Sequence, residues 1–106
     1  MIKRFRTTFL CVLAVILFAF PLNSVAEKPI NIGVLVPLSG IVAQGGEEMK
    51  LGIQMAADEK KTILGRPINL IVEDTRVKPP VAVSKAEKLV FKDNCKALIG
   101  VFSSGV

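Results

Sequence analysis

Ile30 to Val36 (INIGVLV) is a nearly continuous apolar run of a kind that few folds accommodate. A strand with one face in water alternates apolar and polar residues, whereas a strand buried on both faces of a parallel sheet does not. Pro37 ends the run, because proline cannot donate a ladder hydrogen bond in a central strand. The run therefore predicts a central strand of a parallel sheet that helices cover on both sides.

Two further apolar runs and two segments of helical periodicity follow this strand. The elements predicted in chain order are a helix at 47–61, a turn at 64–67, a strand at 68–72, a helix from Pro80 to about Asp93 and a strand at 97–102. The order β-α-β-α-β, with connections of this length, is typical of right-handed crossovers. It predicts an α/β fold, namely the start of a doubly wound parallel sheet with helices on both faces.

The same pattern predicts how each helix meets the sheet. Glu47 and Glu48 fall in the first turn of the first helix and Lys60 and Lys61 in its last, as the helix dipole favours. Gly52 lowers helix propensity by about 1 kcal/mol, which indicates a close approach of helix and sheet at that position. The positions predicted to be buried are Met49, Ile53, Ala56 and Ala57 in the first helix and Val83, Ala86, Leu89 and Val90 in the second.

The first 26 residues have the charge and hydropathy pattern of an export signal. Three cationic residues precede an apolar run of 12 residues from Phe9 to Phe20, and small residues end the segment at Ala26. The alternative, a membrane-spanning helix, needs about 20 apolar residues. We therefore expect a signal peptide that is cleaved after Ala26 and carries Cys11 away, and a periplasmic location for residues 27–106.

Charge and residue content limit the classes of partner and site. Without the signal, 11 Lys and Arg face 9 Asp and Glu, a balance that favours neither nucleic acid nor an anionic membrane surface. The chain has no histidine, and Cys95 is the one cysteine outside the signal, so most transition-metal and thiol–histidine sites are excluded. We expect no cofactor and interpret Cys95 as a small buried apolar side chain rather than a reactive thiol.

In open α/β sheets, ligands bind beyond the carboxyl ends of the strands, where the strand order reverses. Three predicted loops lie there, at 37–46, 74–78 and 103–106. Ser103, Ser104 and Gly105 offer two hydroxyls and the backbone N–H groups of a loop entering a helix, which suits a carboxylate or a phosphate. Ser39 in the first loop is a similar candidate. The alternative is that these serines only cap a helix or shape a turn.

The sequence patterns of nucleotide-binding proteins and hydrolases do not occur in this chain. Residues 40–46 read GIVAQGG, which is not G-x-G-x-x-G, and there is no phosphate-binding P-loop pattern. Glu73 and Asp74 end the second strand, where a dinucleotide fold places a ribose-binding acid. Without the glycine pattern we interpret them as a solvated strand end. A G-x-S-x-G elbow and a histidine for a serine hydrolase are also missing, so no catalytic residue is predicted.

The segment 32–40 (IGVLVPLSG) resembles the opening strand and loop of the branched-chain amino acid type of periplasmic binding protein. These proteins are the substrate-binding subunits of ABC importers. The resemblance rests on the order and spacing of several segments rather than on one motif, and it covers essentially all of residues 27–106. The further segments are Ala43-Gln44-Gly45, the helix with Gly52 and Ala56-Ala57, 64–68, 72–75, 85–90 and 99–105.

The resemblance implies a protein of two α/β lobes that close on a ligand, with this chain supplying the first half of the first lobe. It implies that Ser104 holds the ligand carboxylate, as the matching serine does in relatives that bind leucine, isoleucine or valine. Those relatives carry an aromatic residue at the position of Gly45, so that packing against an aliphatic side chain is missing here. Arg76 and Ser103 stand near the positions of a disulfide in the best-known leucine-binding members, so that bridge is absent.

The predicted function is that of an exported, non-enzymatic solute-binding subunit. It would bind an amino acid or a related small polar carboxylate or amide and deliver it to the membrane permease of an ABC importer, without a nucleic-acid partner. The alternatives are a ligand-sensing domain of a receptor or regulator with the same fold and, third, a secreted enzyme of doubly wound fold. The predicted ligand contacts are Ser104, Ser103, Gly105 and Ser39, with no metal ligand.

Overall fold

A computed structural model describes residues 27–106 of the chain. The predicted signal peptide, with Cys11 and the predicted cleavage after Ala26, lies outside the described residues. The elements in chain order are β1 (Ile30–Val36), α1 (Ala43–Lys60), β2 (Thr62–Ile63), β3 (Arg66–Asp74), α2 (Pro79–Glu87), a π-helical turn (Lys88–Lys92) and β4 (Ala97–Gly100). No helix among residues 27–106 combines the length and the apolar content needed to cross a bilayer. The predicted α/β class and the order of the main elements are confirmed.

The sheet has the strand order β2-β3-β1-β4, so β1 is central. On one side β3 pairs with β1 in parallel, from Ile68 opposite Ile30 to Asp74 opposite Val36. On the other side β4 pairs in parallel, with Ala97 opposite Ile32 and Gly100 opposite Leu35. The chain therefore leaves β1 towards β3 and then crosses back over β1 to β4. This reversal makes the carboxyl ends of β1 and β4 the topological switch point of the sheet.

Strand β1 supplies most of the core and is covered on both faces. Its buried apolar residues are Ile30, Ile32, Val34, Leu35 and Val36. On one face the side chain of Leu89 comes within 2.9 Å of the position that a Cβ on Gly33 would take. On the other face, Ile53 and Ala57 of α1 lie with Ile32 around an apolar cavity of about 200 Å³. Since successive strand residues face opposite sides, α1 and the π-helical turn cover opposite faces, as a doubly wound sheet requires.

Helix α1 begins at Ala43, ahead of the predicted start at residue 47. Glu47 and Glu48 consequently lie outside the first turn, which contains no acidic residue. The prediction for Gly52 is also wrong, because this residue is exposed and a Cβ built on it meets no atom within 4 Å. The close approaches are made by Gly45 and Gly46 instead, and these contacts hold the glycines in the helix against their low propensity.

The second helical segment buries only part of the predicted face, since Leu89 is buried and Ala86 is half-buried. Helix α2 starts at Pro79 rather than Pro80, and its extension is a π-helical turn in which the Asp93 N–H donates to the Lys88 carbonyl oxygen. Ala82 and Leu89 are buried, but Val83 is 56% exposed and Val90 is 41% exposed. The predicted face assumed a regular 3.6-residue period. The wider π turn changes this period only from Lys88 onwards, so it accounts for the exposure of Val90 and not for that of Val83, which lies before it.

Short elements at the strand ends account for the remaining differences. The predicted turn at 64–67 is tighter, because β3 already begins at Arg66 and pairs antiparallel with the two-residue β2. The sheet is thus parallel except for this edge hairpin. Strand β3 ends at Asp74, as predicted, whereas β4 stops at Gly100, before the predicted end at 102.

Candidate functional site

Three loops meet at the carboxyl edge of the sheet, where a doubly wound fold places its ligand. They follow β1, β3 and β4, as predicted. The loop after β3 is tied to β1, because the Thr75 N–H donates to the Val36 carbonyl oxygen at 3.0 Å. Thr75 is 2% exposed, and its own carbonyl oxygen accepts the Lys78 N–H at 3.0 Å. This buried threonine therefore fixes the loop that leads into α2.

The start of α1 is held directly against the end of β1. A Cβ on Gly46 would lie 1.7 Å from the carbonyl oxygen of Pro37 and 2.7 Å from its carbonyl carbon. Only a residue without a side chain allows the helix to come this close. Helix α1 therefore starts beside the switch point, and its first turn forms one wall of the edge.

The chain turns sharply where β4 ends. Gly100 has φ of 126° and Val101 has φ of 68°. The Val101 N–H donates to the Leu35 carbonyl oxygen at 2.8 Å, which anchors the turn to β1. Positive φ is unfavourable for a β-branched residue, so the hydrogen bond to β1 must hold Val101 in this conformation. The turn ends β4 at Gly100 and sends the following residues towards α1.

Phe102 is the first residue after this turn, and its ring lies against the first turn of α1. A Cβ on Gly45 would be 2.8 Å from the ring atom Cζ and 2.9 Å from Cε2. The ring therefore occupies the space that any side chain at position 45 would need. Phe102 is nevertheless 47% exposed, so about half of its surface faces outwards at the edge.

Asp74 joins the loops after β1 and β3. Its Oδ1 accepts the backbone N–H of Leu38 at 2.9 Å and that of Arg76 at 2.8 Å. Burial raises the pKa of this carboxyl, but these two hydrogen bonds and one from the Ser39 hydroxyl outweigh burial and hold the pKa below its ordinary value of 3.8. Asp74 is thus an ionised structural anchor, and the interpretation of a solvated strand end is wrong for it.

The structure gives the predicted site residues different surroundings. Ser103 is half-buried and shapes a turn, because its Oγ accepts the Gly105 N–H at 3.4 Å and its carbonyl oxygen accepts the Val106 N–H at 3.1 Å. Ser104 is exposed at the tip of that turn. Ser39 is exposed on the loop after β1 and close to Asp74. The residues thus lie on two loops of one edge of the sheet.

Glu73 belongs to an ion-pair cluster beside the edge rather than to a solvated strand end. Its side chain is 13% exposed. Its Oε2 lies 2.8 Å from Lys85 Nζ, and its Oε1 lies 2.5 Å from Lys88 Nζ. Lys88 also contacts Asp93 at 2.8 Å. The hydrogen bonds from Lys85 and Lys88 lower the pKa of Glu73 below its ordinary value of 4.5, although burial opposes the change. The cluster fastens α2 and the π-helical turn to β3.

We expect Glu73→Gln to reduce the free energy of unfolding at neutral pH by about 1 kcal/mol, since its lysine partners are partly solvated. A lowered folded-state pKa stabilises the fold above the unfolded-state pKa, and this stabilisation disappears as pH falls through the folded-state value. Urea unfolding at several pH values is therefore expected to show a difference in the free energy of unfolding between wild type and variant. This difference disappears at acidic pH. The exposed Glu59→Gln is the control. An equal gap at all pH values would contradict the ion-pair explanation.

Two other features lie away from the loop cluster. An open cavity of about 500 Å³ lies between α1 and the first half of β3, with Gln54, Asp58 and Asn69 in its lining.

Cys95 is free and half-buried, so its predicted burial is confirmed in part. Burial raises the pKa of its thiol. Among residues 27–106, no group of three or more His, Cys, Asp or Glu side chains is arranged to hold a metal ion.

Sequence reasoning missed two residues of the edge. Asp74 could have been recognised, since an aspartate that accepts the N–H two residues further on is a common turn former. Phe102 was assigned to the end of a strand. Nothing local in the sequence indicates that its ring reaches Gly45, because that contact depends on the positive-φ turn and on strand order.

Comparison with known proteins places the chain in a family. Residues 29–106 match the family model described as periplasmic binding protein. The chain therefore belongs to the periplasmic binding protein family, and the resemblance seen in its sequence is confirmed. The Leu/Ile/Val-binding protein BraC3 of Rhizobium johnstonii is 39% identical over 84 residues, an alignment that covers 76% of this chain and 23% of that protein. The names of such relatives describe binding proteins, so the non-enzymatic prediction is confirmed at the level of the family.

Solved structures agree with the fold. LivJ of Streptococcus pneumoniae, crystallised with isoleucine, superimposes with a TM-score of 0.69 at 31% identity, covering 74% of this chain and 23% of that one. The leucine-binding protein LivK of Thermotoga maritima gives a TM-score of 0.68 at 33% identity, with coverage of 72% and 22%. The chain thus spans less than a quarter of the length of the relatives named here.

Proposed function

We propose that residues 27–106 form the first half of the first lobe of an exported solute-binding protein. The complete protein, with the rest of that lobe and a second lobe, binds an amino acid or a similar small carboxylate or amide. It then delivers this solute to the membrane permease of an ABC importer. The observation that carries the proposal is the exposed Ser104, which lies on the loop after β4 at the switch point of the sheet.

The hydroxyl and backbone N–H groups of the loop after β4 support binding of a carboxylate through uncharged donors, while the ionised Asp74 is occupied by the N–H groups of Leu38 and Arg76. The hydroxyl of Ser104 donates to a ligand carboxylate oxygen, while Ser103 keeps the turn in shape through its bond with the Gly105 N–H. Ser39 lies on the facing loop after β1. Closure of the second lobe excludes water from this edge, and hydrogen bonds to the ligand become stronger in the drier surroundings.

Export is the second part of the proposal. Residues 1–26 direct secretion and are removed after Ala26, which leaves Glu27 as the first residue in the periplasm. The structure is compatible with a cleavage site before Glu27, because the next two residues are already hydrogen-bonded to the fold. The Nε of Arg66 donates to the Lys28 carbonyl oxygen at 2.8 Å. The Nη2 of Arg66 donates to the Pro29 carbonyl oxygen at 3.4 Å.

Calorimetric titration of the complete protein, prepared from the periplasm, tests both parts. The ligands are L-leucine, L-isoleucine, L-valine, L-glutamine and acetate. We expect saturable binding of at least one amino acid by a protein whose first residue is Glu27. A folded protein that binds none of these ligands would contradict the transport proposal, and an uncleaved amino terminus would contradict the export proposal.

Ser104→Ala is expected to weaken binding of the preferred amino acid by about tenfold or more, because a hydrogen bond to a charged group contributes about 1.5–3 kcal/mol. The same titration measures the change. Ser84→Ala removes an exposed hydroxyl from α2 and is the matched control, with an unchanged dissociation constant expected. Equal affinities of wild type and Ser104→Ala would remove Ser104 from the site.

A further inference from the structure

The outer side of strand β3 is covered by another strand only at its start. The two-residue β2 pairs there with Arg66 and Pro67, and within residues 27–106 no other strand lies on that side. Natural proteins protect an open strand edge with proline, charged residues or a bulge, because such an edge pairs readily with another chain. The segment 68–72 reads INLIV and contains neither proline nor a charged residue. This edge is therefore open to a further strand.

The direction of the backbone groups shows what the open edge offers. The Ile68 N–H points outwards and donates to the Lys61 carbonyl oxygen at 3.2 Å, whereas the Thr75 N–H donates to β1. Backbone groups along a strand point alternately to its two sides. Leu70 and Val72 therefore direct their N–H and C=O groups outwards, and an antiparallel strand can pair with both residues.

A groove runs along this edge between α1 and β3. One open cavity of about 500 Å³ borders Ile68 and Leu70, and a second of about 370 Å³ borders Val72. Gln54 lines both cavities, so they follow one another along α1. Leu51 lines the second cavity and is 59% exposed. The groove thus places exposed apolar surface beside unpaired backbone groups, which is typical of a surface that binds another protein chain.

The charged residues of the groove are arranged symmetrically about Gln54. Glu47 and Lys50 line one half, where their side chains contact each other at 2.5 Å. Asp58 and Lys61 line the other half. A two-fold axis beside Gln54 sets position 47 opposite position 61, and position 50 opposite position 58, of a second copy. Each facing pair then joins a carboxylate to an ammonium group. The groove is therefore complementary in charge to itself, as a two-fold interface requires.

We propose that this protein forms a two-fold symmetric dimer, in which β3 of one copy pairs antiparallel with β3 of the other. The groove is thus filled by a second copy of this chain. Since Gln54 borders both Leu70 and Val72 across the two cavities, one axis serves the strands and the charges, and Leu70 of one copy faces Val72 of the other.

The spacing of the elements fits this arrangement. Helix α1 lies over β1 and β3. With paired strands about 4.8 Å apart, the two copies of α1 come to lie about 10 Å apart, which is a normal helix packing distance. The interface lies at the side of the sheet, whereas the proposed solute site lies at its carboxyl edge. The dimer therefore leaves the solute site open, and this inference does not depend on the proposed function.

Sedimentation equilibrium of the complete protein over a concentration series up to about 50 µM tests the dimer, because a dimer of micromolar affinity is mostly assembled there. We expect the wild type to show twice the mass of one chain. Glu47→Lys sets lysine opposite Lys61, and Lys61→Glu sets glutamate opposite Glu47. Each variant alone is expected to weaken dimerisation by about tenfold or more, because both symmetric contacts become repulsive.

An equimolar mixture of these two charge variants is expected to dimerise again, because every facing pair then has opposite charge. Recovery on mixing requires the antiparallel two-fold arrangement and does not follow from a change in the folding of either variant. Glu59→Lys reverses the charge of an exposed α1 residue that does not line the groove, and it is the matched control with an unchanged dimer.

Val72→Pro tests the strand pairing itself. The N–H that it removes points to the open edge, a place where an edge strand tolerates proline, so we expect a folded protein that no longer dimerises. Circular dichroism of each variant establishes that it is folded. A wild-type protein that stays monomeric throughout the series overturns the proposal, as does a mixture of the charge variants that stays monomeric. A dimer that Val72→Pro leaves intact overturns the pairing of β3 with β3.

Discussion

Replacing Gly46 with alanine is expected to destabilise the complete protein by about 3 kcal/mol, the upper range for forcing an extra methyl group into a packed site. The new Cβ would lie 1.7 Å from the carbonyl oxygen of Pro37. The Cβ is attached rigidly to the helix backbone and the Pro37 carbonyl group is itself backbone, so no side-chain rotation relieves the clash. Either α1 moves away from the end of β1 or its first turn unwinds, and both changes disturb the edge that carries the proposed site.

Gly52→Ala is the matched control, because it places the same methyl group in the same helix at an exposed position with no atom within 4 Å. Alanine has a higher helix propensity than glycine, so this variant is expected to be more stable than wild type by up to about 1 kcal/mol. Urea unfolding followed by circular dichroism measures both variants. If Gly46→Ala were as stable as Gly52→Ala, the contact between α1 and Pro37 could not have the geometry described above.

The opposite expectations for these two glycines illustrate where sequence reasoning succeeds and where it fails. The helix itself could be predicted, because Ile53 and Ala57 recur with helical spacing and do face the sheet. Its start could not, because Gly45 and Gly46 have low helix propensity and are typical of a loop. They are helical only because their missing side chains permit contacts with Phe102 and Pro37, residues that belong to other parts of the fold. Local propensity contains no information about such contacts.

The strands also divide into features that the local sequence predicts and features that distant contacts decide. The unbroken apolar run of β1 predicted a central strand buried on both faces, and the structure confirms that burial. The alternation of strands and helices predicted a parallel, doubly wound arrangement. The start of β3 and the end of β4 differ from the prediction, because pairing with β2 sets the first and the turn at Gly100 sets the second. Strand ends depend on partners that are distant in the sequence.

For the candidate site, the sequence predicted the edge and the loops but not the division of roles within them. Ser103 and Ser104 are adjacent and chemically identical, and a sequence alone leaves capping and ligand binding open for both. The structure separates them, because the Ser103 Oγ accepts the Gly105 N–H while Ser104 is exposed. The direction of each side chain depends on the turn that precedes it, which begins at Gly100.

Gly100→Ala is the second variant with a large expected effect, because two costs coincide at this position. Its φ of 126° belongs to backbone that residues with a side chain rarely adopt. A Cβ there would also lie 2.1 Å from the Leu35 carbonyl oxygen and 2.9 Å from its carbonyl carbon. We expect a loss of about 3 kcal/mol or more in the free energy of unfolding of the complete protein, since strain and steric overlap add.

Gly65→Ala shows the cost of a positive φ in the absence of steric overlap. Gly65 also has positive φ, at 76°, but a Cβ on it meets no atom within 4 Å. Only the backbone conformation is penalised, and the expected loss is about 1–2 kcal/mol. Urea unfolding of both variants measures the difference between them, which reports the overlap with β1 together with the greater backbone strain at φ of 126°. If Gly100→Ala lost no more than Gly65→Ala, the end of β4 would be free to move away from Leu35. The anchored position of Phe102 and Ser104 at the switch point would then lose its support, because the turn that directs both residues depends on that contact.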